Sequence, residues 1–148
     1  MLQRRLADER GNSIVEVALV LPVLLVLFLG IVEVALLLFA HVQVANATRE
    51  GARYGSLCRL NGNCDNLTAV VQDTVFSEAQ FLNMTDIGSG GNTAVVVQPS
   101  TLSYIPAVGD PITVTVTYSY SPPFISNYVP MFPAQIPVEH TLVMHFDK

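Results

Sequence analysis

From Ile14 to Ala40 the chain is apolar almost without interruption, with Glu16 and Glu33 as the only ionisable residues in the run. A helix over 14–40 rises about 40 Å, more than the hydrocarbon core of a bilayer at about 30 Å. No other segment is large enough to cover such a rod on every side, so 14–40 reads as a transmembrane segment. Pro22 lies inside it, and its missing N–H should kink or loosen the helix. The helix is expected to continue past Ala40, since Val42 to Leu57 contains no proline. Ala45, Ala47, Gly51, Ala52 and Gly55 give that extension a small-residue surface, and the Gly51–Gly55 spacing permits close approach of another element.

Beyond a polar turn the period stays helical and then shortens to two. Leu67, Val70, Val71, Val75, Ala79 and Leu82 form the apolar stripe of a second helix running to about Asn83, with Asp65 or Asn66 as its cap. Ala94 to Val97 is a short strand. Ile112 to Tyr120 alternates, with Ile112, Val114, Val116, Tyr118 and Tyr120 on one face and Thr113, Thr115, Thr117 and Ser119 on the other. A last strand covers about Val138 to Phe146. The predicted fold is α+β, a pilin-like lollipop. A long N-terminal transmembrane helix extends into a small head with a second helix and a three- to four-stranded antiparallel sheet. The expected divisions are a cytoplasmic leader at 1–11, the long helix at 12–57 and an extracytoplasmic head at 58–148. The loop 121–137 carries five prolines and several aromatics. It is expected to fold over the sheet end, with a subunit contact as the alternative.

Composition narrows the function. Of 148 residues 51% are hydrophobic and 13% charged, the net charge is −5, and Lys148 is the single lysine. No basic face exists to neutralise phosphates, so nucleic acid is excluded as a partner. The glycines at 88, 90 and 91 lack the lysine of a phosphate loop. No nucleophile, base and orienting group come together in the sequence, and no cofactor motif is present; an enzyme is not expected.

Cys58 and Cys64, the only two cysteines, close a short polar turn. Such a pair makes sense as a disulfide outside the reducing cytoplasm, which places the head on the far side of the membrane. Zinc would need two more ligands that His140 and His145 cannot supply together from opposite strand faces. Arginines flank the apolar run on both sides, so charge alone leaves the orientation nearly even. Ala45-Asn46-Ala47 has the form of a signal-peptide cleavage site, but the preceding apolar run is much longer than a signal's 7–15 residues.

The segment Arg10-Gly11-Asn12-Ser13-Ile14-Val15-Glu16 resembles the processing site of type IV prepilins, although Asn12 replaces their usual aromatic or Met. A longer stretch resembles the TadE/TadG-like family of the tight-adherence (Tad) pilus. It comprises Glu16 to Pro22, Gly30-Ile31-Val32-Glu33 and Ala47-Thr48-Arg49-Glu50-Gly51-Ala52-Arg53-Tyr54. The resemblance implies a small pseudopilin or minor pilin, cut by a prepilin peptidase between Gly11 and Asn12. Glu16, Pro22 and Glu33 are the expected assembly contacts, with snorkelling at the outer membrane surface as the other reading of Glu33 and a harmless membrane proline as that of Pro22. The implied partners are other pilin or pseudopilin subunits, the inner-membrane assembly platform and membrane lipid. The implied location is a bacterial inner membrane with the head periplasmic. An uncleaved single-pass scaffold is the alternative, followed by a periplasmic binding module released after Ala47.

Overall fold

The structure, a computed structural model, describes residues 2–58, 66–86, 88, 90–100, 107–124 and 133–146, with side chains from Ser13 onward. Helix α1 runs unbroken from Leu2 to Ser56, 55 residues with Pro22 inside it. Pro22 therefore does not end the helix, although the carbonyl of Ala18 loses its usual N–H partner. Arg53 in the last turn complements the negative end of the helix dipole.

Helix α2 spans Leu67–Glu78 and buries Leu67, Val71 and Val75. Val70 of the expected stripe is only half-buried. The α-helix stops earlier than the stripe suggested. A 3-10 turn, Gln80–Leu82, follows, and Asn83 ends it in a left-handed conformation at φ 48° that asparagine tolerates. Asn66 occupies the N-cap position but makes no side-chain capping bond, a correction to its expected role. Asp65, the other expected cap, lies outside the described residues.

Strands β1 (Thr93–Gln98), β2 (Pro111–Tyr120) and β3 (Ile136–His145) form one antiparallel sheet in the order β1-β2-β3. Among the described residues the sheet has three strands, the lower of the two expected numbers. Every second residue of β2 from Ile112 to Tyr120 is buried. On the outward face Thr115 and Thr141 pair across the strands through their hydroxyls at 2.9 Å. Phe146, just past β3, is buried and exchanges backbone bonds with the turn at Gly109 and Asp110.

The two glycines of the small-residue surface set the helix packing. A Cβ on Gly51 would come within 2.7 Å of Val75 Cγ2. A Cβ on Gly55 would come within 2.7 Å of Ile112 Cδ1 and 3.0 Å of Val71 Cγ2. Since Gly51 meets Val75 and Gly55 meets Val71, α2 runs antiparallel to α1. The core lies between these helices and the sheet, with Ala40, Val44, Ala47 and Ala52 as the contribution of α1.

Candidate membrane and assembly site

α1 divides sharply along its length. Its side chains are exposed on every side from Ser13 to Leu29, and the first buried one is Glu33. Its most apolar 18-residue window has a mean hydropathy of 3.0, long and apolar enough to cross a membrane. Above Glu33 one face turns into the head. Ala40, Val44, Ala47 and Thr48 are buried while His41, Val42 and Arg49 stay exposed. The residues from 33 to 40, expected inside a bilayer, thus lie partly against the head.

Glu16 sits on the bare part of α1, where Val17, Val20, Leu21 and Leu24 border a shallow open groove beside it. No second element touches this groove among the described residues. Pro22 lies in the same stretch. Gly11 is part of α1 by its backbone, and nothing beyond the backbone is described there or at Asn12.

Glu33 is held differently from its expected place as a carboxylate near the membrane surface. The head covers it to 4% exposure, and its Oε2 accepts a hydrogen bond from the Phe124 N–H at 3.2 Å, 91 residues away in sequence. Its Oε1 and the Tyr120 hydroxyl are both buried without a hydrogen-bond partner. Burial pushes the Tyr120 phenol up from its ordinary value, and the charges of Glu33 and Tyr118 push it further. The neighbouring Tyr118 is also pushed up by burial, while its hydroxyl donates to the Leu82 carbonyl at 3.2 Å. The expected assembly residues therefore do not converge. Glu16 and Glu33 are 17 residues apart on α1, about 25 Å along its axis.

Sequence reasoning missed the partner of Glu33, because the Phe124 N–H reaches it from the segment that follows β2. It also missed Phe81, which falls off the apolar stripe of α2; an aromatic out of phase with a core face was the available signal. Cys58 is buried at the end of α1 and is not a free thiol. Cys64 lies outside the described residues, as does most of the proline-rich loop. Where that loop begins, Pro122 is buried and Phe124 is tied to α1. His140 and His145 do lie on opposite faces of β3, and no group of three or more His, Cys, Asp or Glu could hold a metal among the described residues.

A long N-terminal apolar helix, a second helix and, among the described residues, a three-stranded antiparallel sheet make an α+β, pilin-like fold whose first helix is long and apolar enough to cross a membrane. Within it, residues 11–53 match the family model described as TadE-like protein. That match begins at Gly11 and ends three residues before α1 does. The family is a pilus-related structural family. No curated protein and no solved structure matches the chain.

Proposed function

We propose that this chain is a membrane-anchored pseudopilin or minor pilin that takes part in assembling a Tad-type pilus or related secretion system. The observation that carries the reading is the coincidence of the TadE-like match with α1, from the glycine of the processing motif to the last helical turn. In this reading a prepilin peptidase removes residues 1–11 on the cytoplasmic side, and the head faces the periplasm. Because α1 is helical through Gly11, the peptidase has to unwind a turn, and glycine lowers that cost by roughly 1 kcal/mol relative to alanine.

Cleavage supplies what Glu16 lacks. The new α-amino group of Asn12, with an ordinary pKa near 8, is mostly protonated at neutral pH. Staggered helices in a priming complex or filament would bring the amine of one subunit to the carboxylate of another. Processing is thereby coupled to assembly. Pilin-type subunits and the assembly machinery are the partners, and a Cys58–Cys64 bridge closes the turn at the top of α1.

Release after Ala47 fits this fold poorly. Ala47 is 1% exposed within the last third of α1, and a cut there would take Ala40 and Val44 out of the core. Intact-mass measurement of the mature protein tests the proposal. Loss of residues 1–11 is expected, and Gly11→Ile should leave the full-length chain in the membrane. A wild-type mass lacking nothing beyond Met1 would leave an uncleaved scaffold instead. Glu16→Ala should be inserted and cleaved but fail to crosslink to pilin subunits through α1; wild-type crosslinking would remove Glu16 from the assembly mechanism.

A further inference from the structure

We propose that the underside of the head is seated in the lipid–water interface, with Phe81, Phe39 and Phe124 as an aromatic collar among the headgroups. The proposal rests on the reading of α1 as membrane-spanning. It concerns what lies against the head rather than the helix.

The depth follows from helix geometry. Ser13 to Val32, the stretch below the first buried residue, rises about 29 Å, close to the hydrocarbon thickness of about 30 Å. With Ser13 at one edge of the hydrocarbon, Val32 reaches the other edge. The head begins one residue later, at Glu33. A headgroup layer of about 5–7 Å comes next. The Cα of Leu36 lies about 6 Å above Val32 and that of Phe39 about 10 Å, and helical side chains lean back over the preceding turn. The Phe39 ring is thus carried down into the headgroup layer.

Phe81 meets that ring edge-on, with centroids 6.5 Å apart. It is 84% exposed, the highest value among the described large hydrophobic residues. Its position in the turn after α2 makes no use of it in the core. Leu36, Phe39, Phe81 and Pro123 border one open groove beside Tyr120. Phe124 is half exposed nearby, and its backbone is fastened to Glu33. The apolar surface therefore continues without a break from the bare helix onto the head, at the height where a bilayer changes from acyl chains to headgroups. That continuity points to lipid as the occupant. Aromatic side chains belong at such a boundary, where an apolar ring is withdrawn from water without entering the acyl core.

The chain contains no tryptophan, so a single introduced one reports alone. Full-length protein would be reconstituted in phosphatidylcholine nanodiscs with acyl chains brominated either near the headgroup or near the chain end. Leu24→Trp marks the middle of the span. Val143→Trp marks the far end of the sheet, because Val143 pairs with Thr113 beside Ile112, whose side chain lies against Gly55. Phe81→Trp should emit at short wavelength and be quenched about twofold by the shallow bromines, with Val143→Trp unaffected. Phe124→Trp should behave like Phe81→Trp, which guards against a local effect of either substitution. Quenching of Leu24→Trp alone overturns the seated head and leaves the membrane span intact. Quenching of none of them overturns the span itself. Short-wavelength emission at 81 without quenching means that a protein, such as a second copy, covers the groove, and also overturns the proposal.

Discussion

The lower and upper parts of α1 are one helix built for two surroundings. From Ser13 to Leu29 the side chains are mostly large, branched and apolar, and all of them are exposed among the described residues. Above Glu33 the buried positions are Ala40, Val44, Ala47, Thr48, Gly51, Ala52, Gly55 and Ser56, none of them larger than valine. Bulk suits a surface that faces fluid acyl chains, which fill whatever shape they meet. Smallness suits a surface that faces α2 and β2, whose backbones come close only where side chains are absent. The lower part is therefore tolerant in shape and strict in polarity, while the upper part is strict in shape.

Gly55→Leu and Leu24→Ala separate these demands most clearly. Overpacking against Ile112 and Val71 should cost about 3 kcal/mol of head stability and lower Tm, whereas Leu24→Ala should leave Tm unchanged. Equal melting of Gly55→Leu and wild type would erase the distinction. Next comes the turn that ends the upper part. A Cys58–Cys64 bridge closing so short a loop should contribute about 2 kcal/mol, read as a lower denaturation midpoint on reduction. Two thiols that label freely under native conditions would refute the bridge and the orientation drawn from it. At the boundary itself, Glu33→Ala leaves the Phe124 N–H without its acceptor. Amide exchange there should rise about tenfold, and Glu33→Gln, which keeps an acceptor, should restore protection. Unchanged exchange in the alanine variant would show that the segment is held by other contacts.

The smallest expected effect is a pH dependence confined to the head. Burial, then the charges of Arg49 and His41, hold His140 below its ordinary value. The unfolded chain then binds a proton at a pH where the folded head does not. Stability is complete above the ordinary His value of about 6.5 and falls as pH drops from there toward the lowered folded value. Tm should be lower at about pH 5.5 than at about pH 7.5, and His140→Gln should flatten that particular slope. A slope that survives the substitution belongs to other groups.

Local pattern was enough for much of this molecule. The alternation of Ile112 to Tyr120 anticipates the buried face of β2, and Gly51 and Gly55 anticipate a close neighbour without saying which. β1 was harder, since Val96 points outward while Thr93 is fully buried among the core residues. The early stop of α2 escaped because the apolar stripe continues at helical spacing through a 3-10 turn. Glu33 escaped for a deeper reason. A glutamate in an apolar run looks the same whether it rises to the membrane surface or accepts an N–H from a strand end 91 residues away. Only the closed fold decides between them.

The long reach between α1 and the sheet has a consequence in time. The inward face of α1 is finished when Ser56 has been synthesised, yet β3 begins only at Ile136. At translation rates of about 5–20 residues per second, the interval is roughly 4–16 s. Throughout it Val44, Ala47 and Ala52 lack the completed sheet, and the same partly bare stripe is presented by every other nascent copy nearby. Small residues make that stripe weakly adhesive compared with one of leucines. The glycines that later admit α2 at close quarters thus also leave the waiting stripe with less apolar area to bury against a sibling.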